Sequence, residues 1–322
     1  MKVVIYGASV TAQKNKDGFF HYLEENSEFE ITRIPFGASH LQFAGIAMIS
    51  KVIEQQPEVC ILDWVTPSTK VFPMGVVERI NRILHQNNIL PVWVLFPRTD
   101  DPKCERECCK QIIATESDTV LVRNFTRSRF SQGHELSDIL RDAVHTNKLG
   151  APLYAEYIVD SLKQLDLTKF MNLSFSREHE SVPIVLRNEL KIDTDNKLSL
   201  DLVILEESDI NIYMFCNIGP TSPILNLTLV KDDNVVFIGQ RNIVDPWCYY
   251  YRDMLINLPT FKNLKMGKYK LIISISDDDP FDKVNTLKPI ENDSSSKELG
   301  RFLKTYEISI DGNLKVEMLN EL

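Results

Sequence analysis

The sequence predicts two domains of different class, an α/β domain on a parallel sheet over residues 1–164 and an all-β antiparallel sandwich over residues 165–322. Three observations predict it. Strand-like apolar runs alternate with helical patterns through the first half, the signature of a parallel sheet with helices on both faces. From about Leu165 the pattern changes to period two, with Asn, Asp, Gly or Pro between most short runs. The length of 322 residues suits about two domains, and the charge divides with them. Residues 1–164 carry 18 basic and 20 acidic side chains, residues 165–322 carry 18 and 25, and the whole chain has a net charge of −9.

The first domain begins with Val3–Tyr6, β-branched and aromatic residues bounded by Gly7, which read as a short buried strand. Residues 13–25 read as a helix with Phe19, Phe20 and Leu23 facing inward. Phe29–Pro35 alternates as a second strand, and Leu41, Ile46, Ile49, Val52 and Ile53 mark a helix over 41–55. Pro57–Trp64 is mostly apolar, as a central parallel strand requires. A helix around 74–87, a strand over Pro91–Phe96, a helix near 101–115 and a strand over Thr119–Arg123 follow. A short helix after Ser137 and a last one from Ala151 to Leu162 close the domain.

In the second half, nine segments read as strands: Val182–Arg187, Leu198–Leu205, Ile210–Cys216, Ile224–Val230, Val235–Ile238, Met254–Leu258, Tyr269–Ser276, Thr305–Ile310 and Leu314–Met318. Many short strands with turn signals and no helices predict an antiparallel sandwich of jelly-roll type. Segment 277–300 is long and polar. The aromatic run Trp247–Tyr251 is compatible with a sugar-stacking platform, an oligomer contact or core packing. The Asp277–Asp279 run fits a calcium ligand set or a solvated turn.

Composition excludes several function classes. An acidic chain without a basic stripe is a poor nucleic-acid binder. No apolar run approaches the ~18 residues needed to span a bilayer. The N-terminus lacks the apolar core and small-residue cleavage site of a signal peptide, so a cytoplasmic address is expected. Cys60, Cys104, Cys108, Cys109, Cys216 and Cys248 form no disulfide framework, and Cys104, Cys108 and Cys109 lack the partners of a metal site. Neither a metal nor an organic cofactor is expected.

Site chemistry concentrates at two places far apart in the chain. Ser9 lies two residues past Gly7, where a strand gives way to a helix and a hydroxyl projects from the carboxyl edge of a sheet. Such a serine serves equally as a helix N-cap. At the other end of the domain stands Asp142-Ala143-Val144-His145. An imidazole can take a proton from a serine hydroxyl, and an aspartate three residues upstream can fix its tautomer. His134 has no acid in that relation to it. Every candidate falls at the carboxyl end of a strand or in a loop able to return there: Ser9 after the first, Gly37 after the second, Asp63 to Thr66 after the third.

The Gly7-Ala8-Ser9-Val10-Thr11 stretch after the first strand, together with Asp142-x-x-His145, resembles the SGNH (GDSL-like) serine hydrolase family over residues 1–163, about half the chain. The resemblance implies a flavodoxin-like three-layer sheet, Ser9 as nucleophile, His145 as general base and then acid, and Asp142 as its orienter. It implies the N–H groups of Ser9 and Gly37 as oxyanion donors. The family's third donor is an asparagine in a Gly-x-Asn-Asp stretch after the third strand. Here that stretch reads Leu62-Asp63-Trp64-Val65-Thr66-Pro67-Ser68, and the Thr66 hydroxyl is the candidate substitute. His40 is a candidate for the pocket wall and Trp64 for stacking on a sugar, against an exposed loop histidine and a buried aromatic.

The expected function is a serine esterase that removes a small acyl group, acetyl foremost, from a carbohydrate or similar alcohol. An O-acetyltransferase on the same triad, in surface-polysaccharide assembly, is the alternative. A glycan-binding or assembly protein that lost catalysis is the third reading, supported by the missing asparagine. The β domain would bind carbohydrate or make a homo-oligomer.

Overall fold

The structure, a computed structural model, describes residues 1–26, 28–115, 121–126, 135–167, 180–187, 197–220, 222–246, 248–277, 288 and 307–317. The chain divides into two compact units, Met1–Val182 and Pro183–Leu322.

The first unit holds a parallel sheet of five strands: β1 (Lys2–Gly7), β2 (Glu30–Pro35), β3 (Val59–Asp63), β4 (Leu90–Leu95) and β5 (Leu121–Asn124). Their order is β2-β1-β3-β4-β5. Every described residue of β3 and β4 is buried, as helices on both faces demand. One face (Val3, Ile5, Val59, Ile61, Val92, Val94) packs against α1 (Phe19–Asn26) and the last helix, α6 (Gly150–Lys163). Phe19, Phe20 and Leu23 are the buried residues of α1 there, so its expected inward face is the observed one. The opposite face carries Tyr6, Leu62 and Trp93. Trp93 Nε1 donates to Asn81 Oδ1 (2.9 Å) on α3 (Val76–Gln86), which satisfies two polar groups that burial would otherwise strand. α2 (Ser50–Gln55), α4 (Glu107–Ala114) and the short α5 (Leu136–Ile139) complete the helices.

Two elements differ from expectation. The helix expected from residue 13 starts at Phe19, preceded by a 3-10 turn at Asn15–Asp17. The helix expected over 41–55 opens as a π-type turn at Leu41–Gly45 and is regular only from Ser50. Beside it the Tyr6 hydroxyl, rising from β1, lies within hydrogen-bond reach of the carbonyls of Ala44 and Gly45. The first unit extends past α6 to Val182: Glu180 accepts from Arg82 Nε (2.7 Å) and the Ser181 carbonyl from Arg79 Nη2 (3.0 Å), both on α3.

The second unit is a sandwich of two antiparallel sheets. One has the order β10 (Asn234–Asn242), β9 (Ile224–Lys231), β13 (Gly267–Ile275), β7 (Lys197–Ile204), β15 (Leu314–Glu317). The other runs β11 (Arg252–Asn257), β8 (Ser208–Ile218), β14 (Glu307–Asp311), β6 (Ile184–Arg187), with β12 (Phe261–Leu264) also paired to β8. Alternate residues of both sheets, among them Leu198, Leu200, Leu202, Ile210, Ile212 and Met214, enter one core. All nine expected strands are present in their described parts, and β12 is additional. It was not legible because only Phe261 and Leu264 of its four residues pack on the core.

Trp247, Asp278 and Asp279 lie outside the described residues, as does segment 277–300 apart from Asp277 and Lys288. Of the aromatic run, Tyr249 lies 4.9 Å from the Tyr250 ring with the Lys288 ammonium 5.4 Å over it. Tyr251 covers Gly219, where a Cβ would sit 2.5 Å from its ring.

Candidate active site

In an open α/β sheet of this order, the connections diverge at β1 and β3, and the crevice beyond their carboxyl ends is where ligands bind. Gly7 ends β1, in register with Asp63 of β3 and Pro35 of β2. A Cβ on Gly7 would lie 2.3 Å from Thr11 Oγ1 and 2.7 Å from the Asp63 carbonyl, so only glycine lets the two strands and the next turn meet. Ala8 N–H donates to Asp63 O (3.1 Å), and Ala12 N–H closes one helical turn onto Ala8 O (3.0 Å). Ser9 rides on that turn, half-buried. Arg33 of β2 holds the far side of the turn, donating to the carbonyls of Thr11 (3.3 Å) and Gln13 (2.6 Å).

Asp142 and His145 are brought together within one tight loop. His145 Nδ1 lies 3.0 and 2.9 Å from the two carboxylate oxygens of Asp142. The same carboxylate accepts the N–H of Val144 (3.0 Å) and of His145 (2.9 Å), so it shapes the loop as well as pairing with the ring. Partial burial opposes its charge, but these N–H groups and the imidazole outweigh that and hold the Asp142 carboxyl below its usual range. With Nδ1–H directed at the carboxylate, Nε2 carries the free lone pair of a base. The loop is closed at its neck by Arg141 N–H to His145 O (2.9 Å) and an antiparallel bridge between Leu140 and Thr146. Asn147 then starts α6, its Oδ1 accepting the N–H groups of Leu149 (2.8 Å) and Gly150 (3.0 Å).

Among the described residues no hydrogen bond joins the Ser9 hydroxyl to His145. The two segments are joined one step away, through Gln13 and Thr146. Gln13 Nε2 donates to Thr146 O (3.0 Å), and Thr146 N–H donates to Gln13 Oε1 (3.2 Å). Both residues are buried. Sequence reasoning missed this pair because its members are 133 positions apart and neither is a conventional catalytic type.

The exit of β3 corrects two expectations. Thr66 is fully buried and its hydroxyl donates to Asp63 Oδ1 (2.6 Å), so its proton is directed inward and not at an oxyanion. Trp64 is also fully buried, edge-on to Tyr6 at 5.0 Å, and offers no face to a sugar. Apolar packing against Tyr6 and Phe36 outweighs the unsatisfied Nε1, which has no partner among the described residues. Asp63 itself has no solvent exposure. Burial pushes its carboxyl up to about 7, against the opposing hydrogen bonds of Thr66 and Thr11. Thr11 Oγ1, on the Ser9 turn, donates to Asp63 Oδ2 at 2.8 Å.

Gly37 is half-buried, and a Cβ there would meet only Ala12 Cβ at 3.8 Å, so a ligand has room to approach its backbone. Among the described residues neither the Ser9 nor the Gly37 N–H has a backbone acceptor. His40 is exposed, edge-on to Phe43. His134 lies outside the described residues. Cys104 and Cys108 are buried and turn their thiols to the carbonyls of Phe96 (3.5 Å) and Ser68 (3.7 Å), as structural cysteines do.

No family model matches the chain, and no curated protein matches it in sequence. Among solved structures, the chain is similar over its whole length to a two-domain esterase active on acetylated mannans, covering 92% of that chain at 13% identity with a TM-score of 0.58. The same esterase co-crystallised with mannopentaose gives 13% identity and a TM-score of 0.56, over 98% of this chain and 92% of that one. A putative lipolytic protein of the G-D-S-L family from Desulfitobacterium hafniense matches 49% of this chain and 98% of its own, at 18% identity and a TM-score of 0.43. The full-length likeness confirms the fold: a parallel α/β unit followed by a β unit. Among the described residues no helix is long and apolar enough to cross a membrane.

Proposed function

We propose that the protein is an SGNH-type serine esterase that removes a small acyl group, acetyl foremost, from a carbohydrate. The observation that carries this reading is the Asp142–His145 pair, oriented through Nδ1 and tied by way of Thr146 and Gln13 to the turn that bears Ser9. The carbohydrate rests on the fold shared with an esterase active on acetylated mannans.

In this mechanism Ser9 Oγ attacks the acyl carbon while His145 Nε2 takes the hydroxyl proton, and Asp142 stabilises the resulting imidazolium. The N–H groups of Ser9 and Gly37 hold the oxyanion of the tetrahedral intermediate. The carbon–oxygen bond to the sugar breaks as His145 returns its proton to the leaving alcohol. Water then attacks the acyl-enzyme with the same histidine as base, releasing acetate and restoring Ser9. Uncomplexed triads are commonly looser than a hydrogen bond between nucleophile and base, which tightens when substrate binds.

The test is acetate release from acetylated manno-oligosaccharides, run beside labelling by a fluorophosphonate probe. Wild type is expected to turn over and take the label. Ser9→Ala is expected to lose labelling and at least ~10⁴-fold in kcat. Labelling or turnover that survives in Ser9→Ala overturns the assignment, as does a wild type inert to every acylated sugar and to the probe.

A further inference from the structure

We infer that Gln13 is a positioning residue, whose side-chain amide clasps the main chain of Thr146 and so sets His145 in register with the Ser9 turn; the inference rests on the esterase reading above.

The geometry is that of a miniature β-bridge made by a side chain. Gln13 Nε2 donates to Thr146 O at 3.0 Å and Gln13 Oε1 accepts Thr146 N–H at 3.2 Å, while the second Nε2 hydrogen goes to Asp17 O at 3.1 Å. The Thr146 hydroxyl lies 3.2 Å from the same Oε1 and 2.6 Å from Asp17 O, which takes its one proton. Thr146 is fully buried and Gln13 is 7% exposed, so water does not replace these bonds cheaply if they break. At the rim, Arg141 faces Asp17 at 3.6 Å, an exposed pair worth little by comparison.

Position in the chain turns this clasp into an alignment device. Gln13 is four residues past Ser9, about one helical turn or ~6 Å along the backbone. Thr146 is the residue after His145. The Asp142–His145 pair is local to its own loop and needs nothing from Gln13 to form. The loop also accepts Thr99 N–H at Ala143 O (3.1 Å) and buries Val144 in the core, and the clasp ties it directly to the segment that follows Ser9. Loosening it should leave base and acid paired but misplaced as a unit, and a misplacement near 1 Å can cost about 10²-fold in rate.

Gln13→Met keeps the volume and removes all three amide hydrogen bonds. The expected result is a kcat and a fluorophosphonate labelling rate each lowered about 10–10²-fold, with KM within about threefold because substrate contacts are untouched. Amide exchange over residues 144–147 should rise at least ~10-fold while that of β1 and β3 stays unchanged. Thr146→Ser, which retains the main-chain donor, acceptor and hydroxyl, should behave as wild type. Wild-type kcat in Gln13→Met overturns the inference, and so does a loss of rate with exchange raised throughout the unit. If wild type neither turns over nor labels, the esterase reading has failed. The exchange measurement then decides the clasp alone, and unchanged exchange at 144–147 refutes it.

Discussion

The exits of β1 and β3 lie side by side and use the same residue types to opposite ends. After β1, a single turn leaves Ser9 half-buried at the sheet edge, with its N–H and that of Gly37 free of backbone acceptors among the described residues. After β3, the side chains of Asp63, Thr66 and Ser68 turn inward. Asp63 receives Thr11 and Thr66, Ser68 Oγ donates to Trp64 O (2.9 Å), and the Arg98 guanidinium donates to Thr66 O (3.3 Å). The second exit braces the first: Thr11, two residues past Ser9, donates to the carboxyl group at the end of β3. A polar residue at the carboxyl edge of a parallel sheet can therefore meet a ligand only where the local turn leaves it unburied. Asp63 and Thr66 meet the positional criterion and fail that of exposure.

Three substitutions sharpen this contrast. The largest effect belongs to the proposed catalytic residues. Asp142→Asn should keep the fold and lower kcat about 10²–10³-fold with KM nearly unchanged; the carboxylate is 48% exposed, so water partly substitutes for it and the loss should be smaller than for a buried triad acid. Steady-state kinetics on an acetylated sugar measures this, and a change of less than threefold would remove Asp142 from the mechanism.

Asp63→Asn should act on stability and on its pH dependence. The folded-state pKa of Asp63 is raised from 3.8 to about 7, so the folded protein holds a proton that the unfolded chain has lost over that interval. Stability from this group is therefore fully present below pH ~4 and declines as pH rises to 7, by about 4 kcal/mol at the limit. The asparagine variant lacks that decline. Its melting temperature relative to wild type should rise between pH 5 and pH 8, and a constant difference would show that Asp63 is ionised throughout.

Thr66→Val gives the smallest effect. Removing a donor to a buried carboxyl should cost about 1–2 kcal/mol of stability and leave kcat within about threefold. A loss of 10²–10³ in kcat with stability intact would restore Thr66 as an oxyanion donor.

Legibility followed the range of the interactions. The strands of both units other than β12, and the inward face of α1, were readable because period-two and period-3.6 patterns are local. The π-type turn that opens the helix expected over 41–55 was not, since nothing in the spacing of its apolar residues marks it. Asp142 and His145 were readable as a pair because a three-residue spacing lets one carboxylate meet both the ring and the loop's N–H groups. Trp64 and Thr66 could be placed at the sheet edge; for Trp64 the structure selects the buried-aromatic alternative, and the burial of Thr66 had no local signal.

By itself the sequence determined most of the strands and helices and where the α/β pattern yields to the β pattern, and it singled out Ser9, His145 and Asp142 as the residues proposed to act together. Composition and periodicity carry that information within a few residues of each position. Only the tertiary structure decided which polar side chains face the crevice and which brace it, and that a glutamine and a threonine 133 residues apart join the two halves of the candidate site. Those outcomes depend on which groups burial leaves unsatisfied and which distant partner lies within hydrogen-bond reach, and neither is encoded in any local stretch of the chain.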